Sequence, residues 1–546
     1  MANVKFDKKT FEKEIGKLDS EMQEKIALFG TPVESIDEEN IELEIFPNRP
    51  DLLGYHGFRR SFLSFLEKKP GLKTYILNKP EKDYEVKVDS SVKDVRPFIA
   101  CAIVKGLKFD DKKIKELVEI QEKLHSTIGR QRKKLAIGIY PLEKIALPIT
   151  YKALEPDKIK FQPLESQKEM SGLEILQRHP TGKEYAHLLA GKIKFPVFLD
   201  KEGSFLSMPP IINSEKTGRV TSETKSIFVE CSGFDFSILE NCLNIIVSNL
   251  AEMGGQVYQM KVGDQIIPSF KSEFVDLSVE NANKVLGLKL TETQVKDFLQ
   301  KMGHNYKSGK VEIASWRVDI LHEIDLIEDI AIAYGYNNFE PIIPEIATTG
   351  MENKNEIIKR KISEILTGVG LLEVSNYHLT KKIDQFTKMG ISEKEEFGFI
   401  EVEKSKTDYN ILRKDLSHYL LKIFSENVDS EYPQKIFETG RVFYMMKDKK
   451  IVEEERISAA FTPGNFTDLK QILDYCFQNL GLKFEIIEEK VASPFFIEGR
   501  SGDILFDGEK IGMIGEIHPK ILKNWKIKMP VSLFEIKLEK IFKKFE

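Results

Sequence analysis

No stretch of this chain is as constrained as residues 315–336. Ile324, Ile327, Ile330, Ala331 and Tyr334 recur at the three- and four-residue spacing of an α-helix, which predicts a helix that buries this side. Asp325, Glu328 and Asp329 share the opposite stripe at i, i+3 and i+4, and Asp319 lies just upstream. Like charges so placed repel unless a cation, a basic partner or the helix N-terminus offsets them. Two readings stay open. Acidic residues in a first turn suit the helix dipole and commonly form a solvated face, whereas oxygen ligands without a nearby Cys suit a hard ion such as magnesium rather than zinc. Asp319 is the residue that the dipole does not explain.

With 546 residues, 41% hydrophobic and 31% charged, the chain is long enough for about three or four domains and too balanced for extended disorder. Cys101, Cys231, Cys242 and Cys476 contain no Cys-x-x-Cys pair, which argues against a zinc ribbon or disulfide framework and fits a reducing cytosol. No segment has the apolar length of a membrane span, and residues 1–7 lack the apolar core of a secretory signal, so a cytoplasmic protein is expected. A net charge of -5 gives no global attraction to nucleic acid. The clearest local patch, residues 129–134, is read either as a solvated turn or as a phosphate contact. Phosphate-loop, His-Glu-x-x-His and Gly-x-Ser-x-Gly patterns do not occur, and the nine histidines do not cluster. His179 and His187 stand eight residues apart and read as core or capping residues.

Along the chain, prolines flanking Asn48-Arg49 fix the backbone and hold Arg49 and Asp51 in place. A helix is expected over 58–67 and a linker over 68–83. Alternation from Tyr84 and the apolar run 98–105 predict strands. Pro209-Pro210 predicts an extended, rigid run over 207–215 whose polar end is placed to line a pocket. Ser278 caps a helix ending at Leu286-Gly287, and Thr291-Glu-Thr-Gln294 is a capping box opening a second that stops at Gly303. Such a helix-turn-helix pair reads nucleic acid or simply packs; with only Lys296 and Lys301 as basic residues on the second helix, packing is the expectation. A long helix follows, then strands at 438–444, 504–512 and 531–536 of a mostly antiparallel sheet.

Five motifs in order, Asn48-Arg-Pro-Asp51 and those at 179–187, 207–214, 317–329 and 515–519, resemble the beta subunit of phenylalanine-tRNA ligase, in its archaeal and eukaryotic type. The resemblance spans nearly the whole chain. It implies an α+β multidomain fold: an N-terminal α/β domain over 1–83, a mixed α/β editing domain of B3/B4 type over 84–268, a small helix-turn-helix-like B5-type domain over 269–345, and a class II synthetase-like antiparallel sheet domain over 346–546. That last domain lacks the Gly-x-Gly-x-Gly-x-Glu-Arg pattern around 512–517, so its implied role is structural, with the aminoacylation site in a partner alpha subunit.

The family esterifies phenylalanine to tRNA(Phe) with ATP as an alpha2-beta2 tetramer. Its editing domain hydrolyses mischarged tyrosyl-tRNA, since a pocket shaped for phenylalanine rejects an added hydroxyl only weakly. By similarity, Ser207, Asn213, Glu230 and Ser232 line the editing pocket, with Glu230 accepting the tyrosine hydroxyl and an oriented water hydrolysing the ester. Relatives often carry threonine where this chain has Ser232. The resemblance assigns Asp319, Asp325, Glu328 and Asp329 to a magnesium (Mg2+) site shared with the alpha subunit. The competing readings are a free-standing tRNA-editing hydrolase and a non-enzymatic nucleic-acid-binding scaffold.

Overall fold

The computed structural model describes residues 2–346, 348–392, 398–403, 405–488 and 493–545. They form two compact units, Met1–Ile343 and Pro344–Glu546. Each is a mixture of helices with antiparallel and mixed sheets, as the α+β expectation requires.

The first unit begins with a three-stranded antiparallel sheet, in which Asn40–Ile45 lies between Ala2–Asp7 and Val33–Ile36. Its period-2 pattern buries Ala2, Val4 and Phe6 on one face. Helix Tyr55–Phe65 supplies Phe58 and Phe62 to the same core. It starts three residues earlier than expected, because Gly54 adopts the extended conformation that precedes a first turn. The stretch 68–83 is not a free linker. Leu77–Asn78 adds a parallel strand beside Val257–Tyr258, and the Tyr75 hydroxyl donates to Glu252 at 2.7 Å while its ring meets Trp316. A half-buried aromatic ring ties down a segment whose proline and lysine content suggested exposure.

Two sheets form the middle of this unit. The five-stranded one runs in the order Leu77–Asn78, Gln256–Tyr258, Phe98–Lys105, Ile227–Gly233, Leu135–Pro141. Phe98–Lys105 is buried at six successive positions, which explains its unbroken apolar run. Helix Phe236–Glu252 packs across it through Leu239, Leu243, Ile246 and Leu250. The seven-stranded sheet carries Phe195–Leu199, Phe205–Met208 and Ile212–Asn213 toward one edge. Here the expected extended run over 207–215 is corrected: the chain reverses at Pro209-Pro210, and the Ile211 N–H donates to the Met208 carbonyl at 2.9 Å. Prolines exclude a helix but equally suit a tight turn. The reversal pairs Ser207 directly with Asn213.

Ser278 and Thr291 cap helices Val279–Leu286 and Glu292–Lys301 as expected, and Gly287 takes the left-handed conformation (φ 69°) that ends the first. With helix Glu323–Tyr334 they enclose a small core of Ala282, Val295, Leu299, Ile327 and Ile330. The helix pair packs rather than standing out.

In the second unit, helices Lys354–Gly368, Phe466–Asn479 and Glu539–Phe545 share one core with a seven-stranded sheet, and Ser417–Glu426 contributes to another. The sheet is antiparallel except at Leu372–Glu373. Residues 504–512, expected as one strand, are a hairpin joining Phe496–Phe506 to Glu509–Ile517. Asp507 and Gly508 both take positive φ, 50° and 77°, as a two-residue Asp-Gly turn demands.

Candidate functional site

A cavity of about 350 Å³ opens where the edge hairpin of the seven-stranded sheet approaches strands Leu135–Pro141 and Ile227–Gly233 and helix Asp111–Ser126. Its volume suits a small aromatic group. Ile137, Ile139 and Pro209 give it apolar walls; Ser207, Asn213 and Glu230 supply polar groups at its inner end. Those three meet at a residue that sequence reasoning missed. Tyr140 is fully buried, and its hydroxyl lies 2.8 Å from Ser207 Oγ, 3.3 Å from Asn213 Oδ1 and 3.2 Å from Glu230 Oε1. The available signal was the alternation of Ile-Gly-Ile-Tyr, which puts Tyr140 on the face of Gly138. Gly138 pairs with Glu230 across the strands, and a Cβ there would stand 2.2 Å from the Tyr140 hydroxyl and 2.5 Å from Glu230 Oε1. Only glycine permits that approach.

Burial pushes the Glu230 carboxyl up to about 8, against the opposing effects of the Arg96 charge and the hydrogen bonds from Tyr140 and Ser232. Its Oε2 is buried without a hydrogen-bond partner. An unsatisfied buried oxygen costs about 1–3 kcal/mol, so the site favours a ligand that brings a hydroxyl, which donates to an ionised carboxyl or accepts from a protonated one. Ser232, on the same strand as Glu230, is not among the residues that line the cavity; its Oγ and carbonyl accept from Arg96 at 3.2 and 2.7 Å. Two residues along a strand is roughly 6.6 Å, so Ser232 stays on the face of Glu230 but stands further along it, at Arg96.

Arg132, from the basic run, has neither a free nor a solvated side chain. It donates to the Ile211 carbonyl at 2.9 Å and to Glu122 at 3.0 Å, and lies over the Tyr185 ring at the cavity wall. His179 also lines the cavity and faces the Leu164 carbonyl, whereas His187 is exposed. They share no face, because the helix containing Pro180 ends at Tyr185.

The acidic motif is arranged differently from the expected stripe. Arg317 grips Asp319 through Nε and Nη2 at 2.8 and 2.9 Å, and Nη2 also reaches Asp329 at 2.9 Å. His304 Nε2 lies 2.8 Å from the same Asp329 oxygen. Asp329 is therefore buried, and its carboxyl is held far below the carboxylate range, with Arg317 and His304 outweighing burial. Ile324, expected inside, is 48% exposed. The helix turns its buried side to include Asp329 because a cation is already there to neutralise it. Asp325 is occupied too: Oδ2 accepts from the Leu321 and His322 N–H groups, both at 2.8 Å, forming a capping box. Glu328 points to solvent. Four carboxylates so disposed do not fit one magnesium ion, and among the described residues no three His, Cys, Asp or Glu side chains are grouped to hold a metal. Arg49 and Asp51 form their own buried bidentate pair at 2.9 Å.

In the second unit the sheet centre is polar and sealed. Arg413 is fully buried, paired with Glu438 and donating to the Arg441 carbonyl, and Glu535 is held by Ser417 and Arg456.

Residues 340–538 match the family described as the phenylalanyl tRNA synthetase beta chain CLM domain, and residues 275–336 match the tRNA synthetase B5 domain. The chain is 39% identical over 512 residues to the phenylalanine–tRNA ligase beta subunit of Thermococcus sibiricus, covering 91% of this chain and 90% of that protein. The chain belongs to the phenylalanine–tRNA ligase beta-subunit family. The beta subunit of Archaeoglobus fulgidus is 36% identical over 529 residues, covering 95% of this chain and 94% of that one. Among solved structures, an N-terminal fragment of the Pyrococcus horikoshii beta subunit is similar at a TM-score of 0.58 and 35% identity, covering 61% of this chain and 99% of the fragment. The cavity and the acidic motif are thus features of a beta-subunit chain. No helix among its described residues is long and apolar enough to cross a membrane.

Proposed function

We propose that this chain assembles with a phenylalanine–tRNA ligase alpha subunit, as an alpha2-beta2 tetramer in the cytoplasm, and proofreads tRNA(Phe) at the Glu230 cavity. ATP and phenylalanine are handled by the alpha subunit; this chain contacts tRNA and hydrolyses the tyrosyl ester. The observation that carries the reading is the convergence of Tyr140, Ser207, Asn213 and Glu230 at the inner end of an apolar cavity. A substrate phenol there pairs with Glu230 Oε2, whereas phenylalanine leaves that oxygen unpaired, and that asymmetry is what a second sieve needs. The Ser207 hydroxyl is bonded to Tyr140 rather than to a base, so it is not an activated nucleophile. The residues orient the ester and its attacking water.

The second unit serves as a packing and interface domain of class II type. Its large buried arginine, Arg413, is tied to Glu438 and the Arg441 carbonyl, which leaves it no role in gripping a nucleotide. Four free, buried cysteines fit a reducing cytoplasm. Magnesium enters this reading only at the alpha boundary: from this chain Glu328 and the second oxygen of Asp325 are open to it, and the partner completes the shell.

The test is deacylation of tyrosyl-tRNA(Phe) by the co-purified complex. Glu230→Ala and Asn213→Ala each reduce kcat/KM by roughly 10- to 100-fold while phenylalanine charging is retained. Unchanged deacylation removes the proofreading assignment. Purification of the chain as an active monomer with no synthetase partner would favour the free-standing hydrolase instead.

A further inference from the structure

Arg317 is buried with every edge of its guanidinium engaged. Nε and Nη2 form a parallel pair of bonds to Asp319, Nη2 continues to Asp329, and Nη1 faces the Met302 carbonyl at 3.4 Å and His304 Nε2 at 3.3 Å. A planar fork with delocalised charge matches two carboxylates in a way that no lysine does. The side chains of Arg317, Asp319 and Asp329 are 3%, 9% and 6% accessible, so the triad is closed to bulk solvent. A magnesium ion requires about six oxygens in octahedral array near 2.1 Å and keeps several waters. A guanidinium already seated between Asp319 and Asp329 would have to leave before those carboxylates could meet that geometry.

We infer that Arg317 is the resident counter-cation of the acidic motif: it neutralises Asp319 and Asp329 in the place where the motif leads one to expect a divalent ion, and this part of the fold is metal-independent. Asp319 and Asp329 are then structural anions, and only Glu328 and Asp325 remain at the surface. The position of the triad fits that role. Trp316, beside Arg317, lies 4.1 Å beneath the Arg60 guanidinium of helix Tyr55–Phe65, and Ser64 and Gly71 donate to the Gln300 carbonyl at 2.9 and 2.7 Å. Arg317 thus stands at the seam between the N-terminal segment and the helices of residues 275–336, and closing that seam needs no exchangeable ion.

Thermal unfolding of the full chain in EDTA and in excess magnesium, for wild type, Asp319→Asn, Arg317→Met and Arg317→Lys, tests the inference. Wild type melts at one temperature in both solutions, and Asp319→Asn melts roughly 5–10 °C lower in both, since it leaves a buried guanidinium half-paired. Arg317→Met is destabilised further but gains several degrees from magnesium, the ion now entering the vacated place. Arg317→Lys restores a single charge and stays insensitive to EDTA, which keeps the test readable if the methionine variant fails to fold. A magnesium response of wild type, whichever carboxylate substitution abolishes it, contradicts the metal independence. A wild-type melt that falls in EDTA, recovers with magnesium and loses this response in Asp319→Asn would overturn it.

Discussion

Glu230 shows how one side chain's environment sets its chemistry. Its carboxyl is pushed from 4.5 up to about 8, chiefly by burial. Between those values the unfolded chain releases a proton that the native chain keeps, so the native state loses ground as pH rises, by up to about 1.4 kcal/mol per pH unit. The stabilising difference is complete below the unfolded value and gone above about 8. Glu230→Gln removes this slope. Urea midpoints for the first unit, measured from about pH 5 to pH 8, are flatter in the variant than in wild type; parallel curves would contradict the assignment. Sequence reasoning found Ser207, Asn213 and Glu230 only through family likeness, and it missed Tyr140. Nothing in the local pattern around Tyr140 distinguishes a core ring from one whose hydroxyl organises three distant residues.

At the scale of the element, the acidic helix separates roles that its spacing had merged. Asp325 closes the capping box of Glu323–Tyr334, so Asp325→Ala lowers the stability of the first unit by about 1 kcal/mol. Glu328 makes no such bond and is exposed, so Glu328→Ala stays within about 0.5 kcal/mol of wild type in urea unfolding. If both variants weaken assembly with the alpha subunit, the Glu328 effect is an interface effect and not a folding defect. Equal losses of fold stability would refute the distinction. Capping signals at Ser278 and Thr291 were legible because each is complete within a few residues. The rotation of the acidic helix was not, because Arg317 and His304, which admit Asp329 to the interior, lie outside it. The hairpin at Pro209-Pro210 likewise depended on a strand partner that prolines leave unspecified, whereas Asp507-Gly508 is a local hairpin signal that a single-strand reading passed over.

For the whole molecule, the two units have separate cores and separate buried ion pairs. Glu438→Ala leaves Arg413 buried without its carboxylate, a change that costs about 3–5 kcal/mol. Calorimetry of the full chain therefore shows the transition of Pro344–Glu546 moving down while that of Met1–Ile343 stays in place. A uniform shift of both would show that the units unfold together.

The sequence by itself determined what is local and periodic: the strand over 98–105, the capped helices and the motifs of the family. These follow from spacing, propensity and capping, which act within a few residues. Tertiary structure alone decided which charges meet. It joined Tyr140 to Ser207, Asn213 and Glu230, tied Ser232 to Arg96, and seated Arg317 between Asp319 and Asp329. The physical reason is that a side chain's charge state and role depend on burial and on partners brought from distant elements, and neither is encoded in the residues beside it.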